Sequence, residues 1–309
     1  HSAWTKFTNQ KKSLKNIYTS LKVGGKIVIM DFKSPSNSII KEIYEKYTDF
    51  VIPRIGKYIA GDENSYKYLS IGSGRPILIL HGLMGGLSNF DGVFEYFPKH
   101  GYRVIAPELP IYSSNILDTN VKFFAKFVHG FMKFKKLKDV IILGNSLGGH
   151  VGLIFSKLYP KLIKGLVLTG SSGLYENSMG DSYPKREDYN YIKERTEAVF
   201  YSPKVATKKI VDEVYETVND RKKLIKILAM AKSAIRHNMS KDLPKIDVET
   251  AIIWGSNDTV TPPEVADDFN KLLPKSELFW IKKCGHAPMM EHPVKFNSIL
   301  KDWLKRKSL

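Results

Sequence analysis

The apolar run Val140-Ile141-Ile142-Leu143 passes directly into Gly144-Asn145-Ser146-Leu147-Gly148. A short aliphatic run that ends in a G-x-S-x-G turn reads as a buried strand handing over to a helix. A serine hydroxyl is a weak nucleophile in an ordinary loop. At a sharp strand-to-helix turn its oxygen is held exposed, where a base can reach it. The flanking glycines matter because side chains there would collide with neighbouring backbone. Three fixed positions recur by chance about once in ten chains of this length, so the weight falls on the residues around them.

Those residues alternate between strand and helix patterns. Strands are expected at 66–71, 76–81, 102–107, 139–145, 165–170, 249–254 and 276–281, with spacers of helical length between most of them. Such alternation calls for a parallel sheet covered on both faces, an α/β fold. The rhythm stops between Gly170 and Lys245: residues 171–186 are polar and turn-rich, and 187–243 read as several helices, for example Ile210-Val211-Asp212-Glu213-Val214-Tyr215. No internal repeat or low-complexity tract is present.

Partners for Ser146 stand just past the carboxyl ends of later strands, the edge where sites assemble in an open parallel sheet. Ala251-Ile252-Ile253-Trp254 leads to Asp258, and Leu278-Phe279-Trp280-Ile281 leads to Cys284-Gly285-His286. Upstream, Pro76-Ile77-Leu78-Ile79-Leu80 ends in His81-Gly82-Leu83-Met84-Gly85-Gly86, a turn whose freed N–H groups can face an oxyanion. The expected donors are the N–H groups of Leu83 and Leu147, with His81, Gly82, Gly85 and Gly86 shaping the turn. Each assignment has a plainer rival. Ser146 can be an ordinary turn serine. Asp258 can cap the segment that follows, and both roles can coexist. It is preferred as the acid because no Asp or Glu follows the preceding strand, Leu166-Val167-Leu168-Thr169. His292 competes with His286 but sits between Glu291 and Pro293, at a turn into the last helix. His129, His150 and His237 fall in helical patterns and read as packing or surface groups, and Cys284 reads as a small buried hydrophobe.

With these pieces in place, HGLMGG (81–86), GNSLGG (144–149), WGSNDTVTP (254–262) and CGHAPMMEHP (284–293) together resemble an α/β-hydrolase from about Tyr66 to Trp303, roughly three-quarters of the chain. The resemblance implies a mostly parallel sheet flanked by helices, with a helical lid inserted after the sixth strand. It also implies Ser146 as nucleophile, Asp258 as acid and His286 as base. Residues 1–35 stand apart: Leu14, Ile17, Tyr18 and Leu21 at helical spacing, the turn Lys22-Val23-Gly24-Gly25 and the run Lys26–Phe32 resemble the C-terminal part of a class I S-adenosylmethionine methyltransferase. That family's Gly-rich cofactor loop is missing from the chain. The expected domains are an N-terminal extension (1–35), the first part of a hydrolase core (36–173, with an amphipathic helix over 37–51), a helical lid (174–243) and the rest of the core (244–309).

The expected reaction is cleavage of a carboxylic ester of a small or medium acyl substrate through an acyl-enzyme on Ser146, without metal or cofactor. Asn145 and the pattern Cys284-Gly285-His286…Glu291-His292…Phe296-Asn297 also resemble C–C bond hydrolases of ring-cleavage products. That group carries Trp after the catalytic His where this chain has Ala287. A binding protein that buries a small ligand on the same fold is a third, non-catalytic reading.

Composition sets limits. Hydrophobic residues make up 43% of 309, and no run is long enough to span a bilayer. A single Cys rules out an internal disulfide and fits a reducing, cytoplasmic compartment. The formal charge is +17, part of it from residues 1–30, which hold six Lys and no acid. No nucleic-acid motif accompanies it. Between Lys122 and Lys138, Phe123, Phe124, Phe127, Phe131 and Phe134 alternate with lysines, a pattern of membrane- or nucleic-acid-binding helices. The preferred reading is a sheet-packed helix with a lysine-rich outer face. The chain begins with His1 and is expected to be a fragment or a processed product, with Met30 as a plausible independent start. If residues 1–29 are foreign to the hydrolase, a chain starting at Met30 folds and keeps its activity, as judged by thermal melting and turnover. A large drop in either makes the extension an integral part of the fold.

Overall fold

Seven apolar segments form one sheet because each supplies alternating side chains to two opposite faces. In the computed structural model, which describes residues 66–176 and 184–309, the strands are β1 (Tyr68–Gly72), β2 (Arg75–Leu80), β3 (Tyr102–Pro107), β4 (Val140–Asn145), β5 (Ile163–Thr169), β6 (Glu249–Gly255) and β7 (Ser276–Ile281). Their order is β1-β3-β2-β4-β5-β6-β7. β1 runs antiparallel to β3, and every other pairing is parallel. β4, the strand before Ser146, is central and buried along its whole length. The chain winds outward from β2 to β3, then returns to place β4 on the other side of β2. The reversal opens a crevice at the carboxyl ends of β2 and β4, where α/β sheets bind ligands.

Helices cover both faces. They are α1 (Asp91–Tyr96), α2 (Val121–Phe134), α3 (Leu147–Leu158), α4 (Tyr189–Glu197), α5 (Lys208–Asn219), α6 (Arg221–Arg236), α7 (Pro263–Leu272), α8 (Pro288–Glu291) and α9 (Pro293–Arg306). Leu78, Leu80, Ile142, Leu166 and Ile252 point to the face packed by Phe124 and Phe131 of α2, Phe155 of α3 and Phe269 of α7. Their neighbours Ile77, Ile79, Ile141, Val167 and Ile253 point the other way, onto Phe94 of α1 and Phe296, Leu300 and Trp303 of α9. This is the period-two alternation of a strand buried on both sides. The lysine-rich stretch behaves as a sheet-packed helix: α2 buries Val121, Phe124, Ala125, Val128, Phe131 and Met132 and turns Lys122 and Lys126 outward.

The expected strand positions agree with the observed ones to within a residue or two, β5 starting at Ile163 ahead of the expected 165. The helical insertion is α4, α5 and α6. It follows β5, the fifth described strand in chain order, and the sheet resumes at Glu249. Each of its helices starts with a side chain that accepts from otherwise unbonded N–H groups: Asp188 for α4, Thr207 for α5 and Asp220 for α6. The chain divides into two units, 1–65 and 66–309, and all described elements belong to the second. The helix and strand expected before residue 65, and the polar stretch 177–183, lie outside the described residues. Among the described residues no helix is long and apolar enough to cross a membrane.

Candidate active site

Ser146 sits at φ 53°, ψ −121°, between the last residue of β4 and the first of α3. A non-glycine residue in this region is strained and is held by its surroundings. Here its N–H donates to Thr169 O (3.1 Å), while its carbonyl accepts from Gly149 N, His150 N and Ser172 N. The glycines are required by crowding: a Cβ at Gly148 would run into Leu80 O, and one at Gly144 would lie 2.5 Å from Gly148 O. Asn145 ties the turn to both neighbours, its Nδ2 donating to Thr169 O (3.0 Å) and His286 O (3.2 Å).

His286 Nδ1 meets Asp258 Oδ2 at 2.9 Å, and both side chains are buried. The Asp258 carboxylate also accepts from Val260 N and Thr261 N (2.9 Å each) and from Thr261 Oγ1 (2.8 Å). The two readings of Asp258 therefore coexist: it closes the turn before α7 and faces the imidazole. Burial alone would lower the His286 pKa, but the Asp258 charge and hydrogen bond outweigh it and hold the imidazole above its ordinary value.

The upstream turn is organised by His81. Its Nε2 accepts from Leu109 N (3.0 Å), so Nδ1 carries the proton and donates to Gly82 O (2.9 Å). Burial keeps His81 below its usual pKa, in the neutral form this arrangement needs. A Cβ at Gly82 would lie 3.3 Å from the Ser146 Cβ, which puts this turn against the serine. Leu147 opens α3, so its N–H has no acceptor within the helix.

Ser146, His286, Gly82, Leu83, Gly85 and Gly86 line one cavity of about 220 Å³. Asp258 lies behind His286, and Leu147 is buried beneath the turn. The roof comes from the insertion, through residues such as Val199, Phe200, Val214, Ile227 and Leu228. The rival histidines are elsewhere. His292 Nε2 lies 2.9 Å from Lys283 O, His129 stacks on Tyr159, and His150 Nε2 lies 2.9 Å from the carbonyl of His237. Burial pushes the His150 pKa down to about 4. The Cys284 thiol is pushed well up by burial and by the Glu291 and Asp258 charges, so it is no thiolate nucleophile. Among the described residues no group of three or more His, Cys, Asp or Glu is placed to hold a metal ion.

Glu176 and Glu213 line the cavity without having been read as site residues, and the role of Glu291 in the fold was missed. Glu176, beyond the turn that follows β5, lines the cavity, which corrects the reading that no acid follows that strand. Burial raises its pKa, against the pull of Ser172 and His286. Glu291 accepts from Gly285 N (2.6 Å), Tyr201 N (2.9 Å) and Ser202 N (3.1 Å), so it joins the His286 loop to the chain after α4. Glu291 was legible as part of the downstream motif, but its function as an acceptor for the insertion was not.

The sequence model described as alpha/beta hydrolase fold matches residues 75–293. The chain belongs to this family. Residues 4–75 match the ubiE/COQ5 methyltransferase family, a longer stretch than 1–35 and one that runs through β1. The chain is similar to the crystal structure of MGS-MChE2, an alpha/beta hydrolase enzyme from the metagenome of sediments of the Mar Chica lagoon, Morocco. They share 53% identity with a TM-score of 0.67, over 80% of this chain and 98% of that one. It is 26% identical to Lipase 3 of Moraxella sp. (strain TA144), over 75% of this chain and 78% of the lipase. It is 29% identical to the 2-hydroxy-6-oxo-6-(2'-aminophenyl)hexa-2,4-dienoic acid hydrolase of Metapseudomonas resinovorans, over 78% and 88%. These relatives of the hydrolase unit are all hydrolases.

The imidazole geometry fixes the sign of a pH effect. With His286 proposed as the base, which must be neutral to accept a proton, kcat/KM is expected to rise with pH through its raised pKa, above the ordinary 6.5. Asp258→Asn removes the main group that raises it and leaves burial, which lowers it, opposed only by the weaker pull of the Glu176 charge. The acidic limb then moves to lower pH while the rate falls by about four orders of magnitude. A pH profile of hydrolysis by both proteins checks this, and an unmoved limb contradicts it.

Proposed function

We propose that the chain is a serine hydrolase that cleaves a carboxylic ester of a small or medium acyl substrate through an acyl-enzyme on Ser146. The observation that carries this reading is the buried His286–Asp258 pair facing the same cavity as a serine held at a strained strand-to-helix turn. In this mechanism Ser146 Oγ attacks the acyl carbon and its proton passes to His286 Nε2. Asp258 holds the Nδ1 proton and stabilises the imidazolium. The tetrahedral oxyanion accepts from the N–H groups of Leu83 and Leu147. As the carbon–oxygen bond breaks, His286 returns the proton to the departing alcohol. Water then gives a proton to His286 and attacks the acyl group, and Ser146 recovers its hydrogen as the acid leaves.

On this reading residues 174–243 act as the lid of a hydrolase core. Phe200 and Leu228 face the cavity, whereas Met230 is buried within the packed core and Tyr201 lies outside the cavity lining. The wall is largely apolar, with Met84, Val214 and Met290 among its residues, which fits an acyl chain. C–C bond cleavage of ring-cleavage products is the second reading. It is favoured by the relative from Metapseudomonas resinovorans and disfavoured by Ala287 in place of tryptophan. The non-catalytic binding reading is weakened by the complete His–Asp pair.

Two experiments test the proposal. The wild-type protein is labelled covalently by a fluorophosphonate probe and Ser146→Ala is not. The same substitution lowers ester turnover by several orders of magnitude, to the residual rate left by binding and the oxyanion turn. Near wild-type turnover in that variant overturns the nucleophile assignment. A panel of esters of graded chain length beside a ring-cleavage product separates the two reactions. Replacing residues 174–243 by a short Gly/Ser linker leaves the sheet folded and alters the ranking of esters by chain length, because the triad stands on sheet loops and the lid shapes the space above them. An unchanged ranking with unchanged KM values rejects the lid role.

A further inference from the structure

Helix α6 reads Arg-Lys-Lys-Leu-Ile-Lys-Ile-Leu-Ala-Met-Ala-Lys-Ser-Ala-Ile-Arg: six cations and no carboxylate in 16 residues. Its inner face is ordinary. Ile227, Met230, Ala231 and Ala234 are buried. Its outer face is unusual for a protein surface. Ile225, Leu228, Lys232 and Ile235 recur at helical spacing and therefore share one side. Ile225 is 48% and Ile235 63% exposed, and Lys222, Lys232 and Arg236 stand exposed around them. None of the helix's cations enters an ion pair among the described residues.

A second element extends this face. The loop from Tyr112 to Val121 runs alongside α6 and is fastened at both ends: Lys226 Nζ donates to Tyr112 O, and Val121 N donates to Ser233 Oγ at 3.2 Å. Between those anchors Ile116 and Leu117 project outward, Leu117 being 89% exposed. Asp118 follows Leu117, Asp220 accepts from Lys222 N and Lys223 N, and Glu213 of α5 lines the cavity. Ile227, Leu228 and Ala231 of α6 line the cavity that holds Ser146 and His286. The aliphatic and cationic face therefore borders the mouth of the site.

We infer that this face docks on an anionic lipid surface, with Leu117, Ile225 and Ile235 entering the acyl boundary and the α6 cations meeting the headgroups, so that the cavity mouth opens at the interface. Charge complementarity selects this occupant. Aliphatic groups framed by lysines and arginines that make no ion pair among the described residues match a layer that is negative outside and apolar beneath. Each basic residue held near an anionic leaflet contributes on the order of fivefold in partitioning. The chain's formal charge of +17 adds long-range attraction to the same surface. The inference deepens the ester-hydrolase reading, on which it rests for the class of substrate: an amphiphile whose acyl chain passes from the layer into the cavity.

The test uses the full chain with sedimented phosphatidylcholine vesicles, with and without phosphatidylglycerol. The chain binds the phosphatidylglycerol vesicles, leaves the neutral ones largely unbound, and is released as the Debye length shrinks from about 10 Å at 0.1 M salt to about 3 Å at 1 M. Leu117→Glu, at a position too exposed to affect folding, and Ile225→Glu with Ile235→Glu each weaken vesicle binding by about tenfold or more. Lys222→Glu with Lys232→Glu does the same. All of them keep the wild-type rate on a water-soluble short-chain ester. Absence of binding to anionic vesicles, equal binding to neutral ones, or variants that bind like wild type overturn the inference. Capture of an acidic protein without vesicle binding also overturns it. Fluorophosphonate labelling of the same preparations keeps the two questions apart. Vesicle binding without labelling rejects the serine-hydrolase reading and keeps the docking face, and labelling without vesicle binding does the reverse.

Discussion

The positive φ of Ser146 is the constraint on which the rest of the hydrolase unit depends. An L-residue adopts that conformation only where surrounding bonds over-determine it. Here the N–H of Ser146 is anchored on the end of β5, its carbonyl receives the first turn of α3 and the N–H of Ser172, and Asn145 beside it reaches the carbonyl of His286. One turn thus fastens the ends of two central strands, the start of a helix and the loop that carries the imidazole. The absence of side chains at Gly144 and Gly148 lets β2, β4 and α3 approach closely enough for this to happen. A serine oxygen is presented because the backbone has no slack there, and the same rigidity holds its partners at the carboxyl edge of the sheet.

The second level of organisation is the joint between sheet and insertion. The N–H of His286 donates to Val199 O, Thr259 Oγ1 donates to Ala198 O, and Glu291 accepts from both Gly285 and the Tyr201–Ser202 backbone. The chain leaving α4 therefore rests directly on the loops of the imidazole and its carboxylate. The roof of the cavity and the loops that carry His286 and Asp258 share hydrogen bonds as well as a wall. The alternating faces of β2, β4, β5 and β6 supply the platform beneath, with an aromatic layer on either side.

Much of this was readable in the residues. Strand positions followed from short apolar runs, because a strand buried on both faces leaves no polar alternation to misread and glycine-rich turns mark its end. The gathering of Ser146, Asp258 and His286 at one sheet edge was legible because each follows such a run. His81 was legible as a turn-shaping residue for the same reason. Glu176 was not, because a polar turn separates it from the strand and only the path of that turn brings it to the cavity. The contact of Glu291 with the insertion was hidden by chain distance: residues 201 and 291 meet through tertiary structure, which local pattern does not encode. Within the insertion, Phe200 and Leu228 face the cavity while Met230 is used up in core packing, since helical periodicity gives the buried side without saying which buried residues adjoin an empty space. Antiparallel β1 at the sheet edge illustrates another limit, because strand direction depends on connections that residue pattern alone leaves open.

The Glu291 joint has a mechanical consequence. Three backbone amides converge on one carboxylate, and two of them belong to the insertion while the third precedes the imidazole. That end of the roof is a fixed abutment. Swinging it away would drag the loop that carries His286 with it, so the roof and the imidazole move as one piece at that end. A widening of the cavity that leaves the imidazole in place displaces the far side, where α5 and α6 meet the cavity. The roof then behaves as a door whose hinge is built into the lock, and passage in and out is confined to the side that leaves the lock undisturbed.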